Sequence, residues 1–291
     1  PRLGDIFGAP LDCLPTPMAS DSRFGETAPN ATALPGGVPI HAIMGDSHAA
    51  LFGHGVRQAG KVKATYGTGS SLMTLTNQRT ASRNGLSGTI AWTAGGQTAH
   101  ALEGNITVSA QAAAFMADML GQDSAADLSE LAQSVADSGG VTFVPALAGL
   151  GAPYWDDDAR GAVSGLSLGT RPAHLARATF EAIAHQIADV FDAMEEDLGQ
   201  SLRGLSADGG ASANPFLMQM QADLIGKPVQ RRAIPEIGAF GVALMSAEAL
   251  GHPIEAKADD AETFEPAMEA DQRRQLRARW KDAISKLRGH P

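Results

Sequence analysis

Residues 61–76 read KVKATYGTGSSLMTLT, and the rest of the chain is read outward from them. Lys61 to Tyr66 and Ser70 to Thr76 carry the apolar and β-branched residues of strands, while Gly67-Thr68-Gly69 between them has the composition of a tight turn. The expectation is a hairpin. Upstream, VPIHAIMGD (38–46) reads as a buried strand ending at Gly45-Asp46, and SHAALFGHG (47–55) as a short helix following it. Downstream, strands are expected at Gly88 to Trp92, Thr98 to Leu102 and Val141 to Leu147, with helices near Thr107 to Leu120 and Ala126 to Asp137. The strongest helix is Arg171 to Leu198, where Ile183, Ile187, Val190, Phe191, Met194 and Leu198 share one face. Thr170 is placed to cap it, Pro172 falls in its first turn and Gly199 follows its last residue. Then come a strand (Leu202 to Ala207), the turn Asp208-Gly209-Gly210, a helix (Asn214 to Ile225) and the apolar helix IGAFGVALMSAEALG (237–251). The tail after Asp259 reads as a charged, solvated helix. Pro1 to Gly37, with six prolines, reads as irregular. Such mixing of helices and strands places the chain in the α/β class.

Composition narrows the functional classes. The chain has 291 residues, 44% of them hydrophobic, and a formal charge of -10 from 22 basic and 32 acidic side chains. It is long enough for one large domain or two modest ones. So acidic a balance argues against nucleic acid, since gripping phosphates needs clustered Lys and Arg. Cys13 is the single cysteine, which excludes a disulfide framework or a zinc ribbon and fits a reducing cytoplasm. Neither a long apolar run nor a leader pattern is found, so a membrane location is not expected. Glycine, at 33 residues, is enriched.

Several common signatures fail. GVRQAGK (55–61) has the spacing of a P-loop, yet Val62 stands where a hydroxyl should meet magnesium and a strand follows in place of a helix. No G-x-S-x-G elbow, zinc-binding histidine spacing or dinucleotide fingerprint occurs. What remains is weaker residue by residue. Asp46, between a strand and a helix, suits either a general base or a helix N-cap. Gly67, Thr68 and Gly69 offer unhindered amides and a hydroxyl, as in a phosphate cradle, although a plain turn has the same composition. Gly209 and Gly210, after a strand and before a helix, would let a nucleotide approach. Asp156, Asp157 and Asp158 read as a solvated loop, because three consecutive side chains cannot face one ion. Met218 and Met220 read as core.

In order and spacing these pieces resemble the FGGY carbohydrate kinases, glycerol kinase among them, over about Leu34 to Gly251. GDSHAALFGHG (45–55) is similar to the family's GDQQAALFGQ segment and TYGTGSSL (65–72) to its TYGTG turn. ALEGN (101–105), FVPALAGLGAPYWDDDARGAVSGL (143–166) and DGGASANPFLMQMQADLIGKPVQR (208–231) follow in family order. A second family signature is met at Gly161, Val163, Gly165, Leu166, His174, Leu175, Ala178, Thr179, Phe180 and Glu181. The resemblance implies an actin-like, ribonuclease-H-type ATPase domain, a mixed sheet flanked by helices, and transfer of phosphate from ATP with Mg²⁺ to a sugar or polyol hydroxyl. Asp46 then matches the catalytic base. Gly67, Thr68 and Gly69 match the phosphate contact, and Gly209, Gly210 and Asn214 the nucleotide turn.

The sequence departs from glycerol kinases at three places. Ser47 stands for a Gln that touches substrate, Ser71 for a Phe that packs on the glycerol carbons, and Ala110 and Ala114 for a Gly and a Gln near the adenosine. With Asp46, Ser47 and Ser71 lining a roomier, more polar pocket, the expected substrate is larger or more polar than glycerol. These kinases are about 500 residues long, so the chain reads as a C-terminal portion. Pro1 to Phe52 would end the N-terminal sugar-binding domain and hinge, residues 53–291 would form the ATP-binding domain, and the N-terminal domain would be a partner. Homo-oligomers are left open. An actin-like nucleotide-binding module without small-molecule kinase activity is the alternative.

Overall fold

The computed structural model describes residues 2–254 and 261–289. In chain order its elements are α1 (Arg2–Phe7), β1 (Gly25–Glu26), β2 (Pro39–Ile40), α2 (Asp46–Gly53), β3 (Val62–Tyr66) and β4 (Ser70–Thr76). Next are β5 (Ser87–Ala94), β6 (Gln97–Ile106), α3 (Gln111–Met119), α4 (Ala125–Gln133), β7 (Thr142–Val144), β8 (Ala162–Ser164) and α5 (Pro172–Leu198). The remainder is β9 (Leu205–Asp208), α6 (Pro215–Ile225), β10 (Val229–Arg232), α7 (Ile237–Ala249), β11 (Ala261–Phe264) and α8 (Ala270–Leu287).

A seven-stranded mixed sheet in the order β11-β10-β9-β3-β4-β6-β5 organises the chain. The β3–β4 hairpin forms as expected, with Tyr66 opposite Ser70. Parallel pairing of β3 with β9 sets Thr65 beside Asp208, so the turns that follow both strands leave the same edge of the sheet. Strand alternation splits the core. Val62, Ala64, Tyr66 and Leu72 join Ile187, Val190 and Leu217 on the face covered by α5 and α6. Met73 and Leu75 join Leu51, Phe52, Leu244 and Met245 on the face covered by α2 and α7.

Helices α2 and α7 meet backbone to backbone. A Cβ added at Gly241 would lie 1.8 Å from the Ala49 carbonyl oxygen, and one at Gly53 would lie 2.3 Å from that of Ile237. Only glycine fits at either position. Ala49 to Gly53 are buried, and the boundary expected at Phe52/Gly53 lies at the end of α2.

Three expectations are corrected. Val38 to Gly45 forms no buried strand: only Pro39 and Ile40 pair, with β1, and Ile40 and Ile43 are exposed. Pro39 brings no ladder N–H and the large sheet has no place for this segment. Arg171, not Thr170, is the N-cap of α5; the Arg171 amide donates to His174 Nδ1 at 3.1 Å, and the Thr170 hydroxyl accepts from the Ser167 amide. The tail, whose first residue, Asp260, lies outside the described residues, is more than a charged helix with a solvated face. It supplies edge strand β11 and then α8, whose Trp280 is 1% exposed. Trp280 Nε1, Arg277 Nη2 and the Tyr154 hydroxyl all donate to Asp189 of α5, at 2.7, 2.6 and 2.8 Å. Asp156 pairs with Arg288, while Asp157 and Asp158 are exposed; Met218 and Met220 are core.

Candidate active site

Asp46 opens α2, with Gly45 rather than Asp46 as the N-cap residue. The N-cap reading is therefore not what the side chain does. Asp46 is exposed, and its Oδ1 accepts the amide N–H of the next residue, Ser47, at 2.6 Å. The Ser47 hydroxyl lies 3.2 Å from that of Ser71, and Ser71 donates to Glu103 Oε1 on β6 at 3.3 Å. A line of oxygens, Asp46, Ser47, Ser71 and Glu103, so runs from the helix start onto the sheet. Asn105 of β6, the register partner of Ser71, is exposed at the same place.

The glycine turns lie beside this line because β3, β4 and β9 are neighbours. Gly67 and Thr68 carbonyls accept the Ala110 and Ser109 amides at 3.2 and 2.9 Å, which fastens the turn to the start of α3. Thr68 itself is exposed. Gly209 has φ +88°, and a Cβ there would come within 2.6 Å of the Tyr66 carbonyl oxygen. The second turn thus rests directly on β3. At Gly210, in contrast, an added Cβ meets nothing within 4 Å.

That open space is a cleft of about 400 Å³ bounded by Ala110, Ala113, Ala125, Ala126, Phe180, Gly210 and Leu217. Its polar side chains are Ser129 and Asn214. Asn214 caps α6 by accepting the Phe216 and Leu217 amides and donates to Ser129 Oγ at 2.9 Å. A wide apolar slot beside glycine-rich amides and a helix N-terminus suits a nucleoside with its phosphates.

On the α2 side of the sheet lie charged groups that sequence reasoning assigned no role. Asp208 Oδ2 and His54 Nε2 are 2.6 Å apart and both residues are buried. Lys63 is fully buried on β3, and among the described residues neither its Nζ nor His54 Nδ1 has a hydrogen-bond partner. Burial lowers the ammonium pKa of Lys63, opposed by the carboxylates of Asp208, Glu103 and Asp46. Burial also lowers His54, despite Asp208. The available signal was a lysine inside an otherwise apolar strand. Among the described residues no group of three or more His, Cys, Asp or Glu side chains could hold a metal ion, and no helix is long and apolar enough to cross a membrane.

The comparisons agree with this geometry. The chain is 45% identical to an apulose kinase of Pectobacterium atrosepticum over 98% of its own length and 59% of that protein's. It is also 45% identical to a glycerol kinase of Symbiobacterium thermophilum, over 97% of this chain and 58% of the relative. It spans somewhat more than half of the curated relatives it matches. Among solved structures, Plasmodium falciparum glycerol kinase with ADP superposes with a TM-score of 0.88 at 26% identity, covering 99% of this chain and 59% of that one. A ligand-bound xylulose kinase from Lactobacillus acidophilus, 20% identical with a TM-score of 0.85, shares the fold over 98% of this chain and 60% of its own. The fold is thus the actin-like ATPase fold of these kinases. Residues 62–250 match the C-terminal domain of the FGGY family of carbohydrate kinases, and the chain belongs to that family.

Proposed function

We propose that the protein carrying this chain transfers the γ-phosphoryl group of ATP to a hydroxyl of a sugar or polyol larger or more polar than glycerol. The observation that carries this reading is the placement of the exposed Asp46 carboxylate at one sheet edge with two glycine turns and an apolar cleft. Asp46 accepts the proton of the attacking hydroxyl. Amides of the 67–69 turn, with the Thr68 hydroxyl, hold phosphate oxygens, while Gly209, Gly210 and Asn214 border the nucleoside. Phosphoryl transfer asks for positioning and charge neutralisation more than for covalent chemistry, so this modest set is sufficient. Mg²⁺ fits as an ion carried by the phosphates with its own waters, supplying charge neutralisation; among the described residues the acidic groups form no cage for it.

Substrate breadth rests on Ser47 and Ser71. Both are small hydroxyl side chains facing each other, and with Glu103 and Asn105 they present polar partners where a second row of substrate hydroxyls would lie. The relatives' names include both a polyol kinase and a sugar kinase. Residues 2–45 would adjoin an N-terminal domain that completes the sugar site. Leu3, Ile6 and Phe7 are 63–78% exposed there, an apolar surface in keeping with such a neighbour. Water would be excluded by closure of the two domains. Nothing in the geometry favours a nucleotide-binding module without kinase activity. The test is sugar-dependent ADP release by the full-length protein and by Asp46→Asn: equal rates in both would end the kinase reading.

A further inference from the structure

His54 follows the last turn of α2, eight residues and one helix length from Asp46. Its partner, Asp208, is the last residue of β9 and precedes Gly209-Gly210. A single buried contact of 2.6 Å therefore joins the helix that begins with the carboxylate to the strand end that begins the nucleotide turn. A proton must lie between the imidazole and the ionised carboxylate, so Nε2–H donates to Oδ2. Lys63 backs the pair from the adjacent strand, its register partner Ser206 being two residues before Asp208. Charge-assisted bonds in a water-poor setting are stronger than their exposed equivalents, and a bond spanning two site-bearing elements resists their independent movement. Other groups facing the pair are few: Lys63 and Arg232 act on His54, and Asp208, Glu103 and Asp46 act on Lys63.

We infer that His54 is a positioning residue that couples the nucleotide turn to the base-bearing helix through its hydrogen bond to Asp208. The inference rests on the kinase reading above and goes beyond it: His54 is buried and does not line the cleft, yet its bond makes the setting of Asp46 depend on the turn at Gly209. Losing the donor strands a buried carboxylate and frees both elements, so nucleotide affinity and turnover fall together. A residue that merely filled space would be replaced equally well by any side chain of its size.

The experiment compares His54→Gln, which keeps an N–H donor, with His54→Met, of similar length and without one, in the full-length protein. Mg-ATP affinity is read by calorimetry and kcat by ADP release, with Asp46→Asn alongside. We expect His54→Met to lose about tenfold in both affinity and kcat, and His54→Gln to stay within about threefold of wild type, as the loss and retention of one charge-assisted bond imply. Wild-type behaviour of His54→Met, or equal damage in both variants, overturns the coupling. If wild type turns over and Asp46→Asn does not, that failure leaves the kinase reading standing. Should His54→Met fail to fold, amide exchange on the wild-type protein decides: Mg-ATP alone should slow exchange in residues 50–55 together with 209–214, and protection confined to the latter overturns the proposal.

Discussion

The two faces of the sheet divide the work by chemistry. On the α5–α6 face the sheet packs against the larger apolar cluster, and the polar groups buried with it are paired: the Tyr66 hydroxyl donates to Gln221 Oε1 at 3.0 Å, and Gln221 and Gln186 donate to the Ala184 and Val108 carbonyls. The cleft at its edge is lined largely by alanine and offers shape more than charge. On the α2–α7 face, Lys63, His54 and Asp208 are buried under a smaller apolar cluster, and the oxygens of Asp46, Ser47, Ser71 and Glu103 continue to the surface. On the proposed function, one face would hold a ligand by area and the other would handle a proton. Electrostatic chemistry needs preorganised charge in a water-poor setting, whereas a nucleoside is held well by an apolar slot with few polar anchors.

The largest effect should come from the charged face. Asp46→Asn should lower kcat by about a thousandfold while leaving Mg-ATP affinity unchanged; a matching loss of affinity would mean that the faces do not separate. Next comes Gly210→Val, whose side chain enters open cleft rather than protein. ATP affinity should fall by about tenfold or more with little change in unfolding midpoint, measured by calorimetry and thermal denaturation. Gly241→Ala is its converse, driving a Cβ into the Ala49 carbonyl. It should cost about 1–3 kcal/mol of stability in denaturant titrations, and a neutral outcome would contradict the tight α2–α7 contact.

Smaller still is a change of preference. The double variant Ser47→Gln with Ser71→Phe should raise kcat/KM for glycerol relative to larger polyols and ketoses by about tenfold, read in a substrate panel, and an unchanged ratio would remove these serines from specificity. The smallest effect concerns pH. His54 and His185 are both held below the ordinary imidazole value by burial. The unfolded chain gains these protons as pH falls through about 6.5, whereas the folded chain does not until lower pH. Stability should therefore be fully present above pH 6.5 and decline below it, by at most about 1.4 kcal/mol per pH unit for each histidine. His54→Gln should shallow that slope, and an unchanged slope would exclude His54 as a contributor.

Much of the sheet was legible from alternation and turn chemistry. The β3–β4 hairpin, α5, β9 and α6 stand where the apolar periods and the glycines put them, because each is decided by nearby residues. Asp46, the 67–69 turn, Gly210 and Asn214 could be named for the same reason, as motifs local in sequence. Elements decided by distant partners were not legible. Trp280 and Ile284 of α8 were masked by surrounding charges, and Arg277 counts as solvated until Asp189 is seen beneath it. Val38 to Gly45 has the composition of a buried strand but no strand to pair with in the large sheet. His54 and Asp208 are 154 residues apart, a separation no local pattern reports.

The glycine contact between α2 and α7 has a consequence for how the pocket can be remade. Because Gly53 and Gly241 let main chain meet main chain, no side chain acts as a spacer whose replacement would reposition the start of α2. Ser47 and Ser71 are carried on that fixed frame by the backbone of α2 and β4, and their side chains meet through their hydroxyls. Libraries that vary 47 and 71 and leave 53 and 241 untouched should therefore change the proposed pocket wall while the Asp46 carboxylate stays in register, so that wall and proposed base can be altered independently.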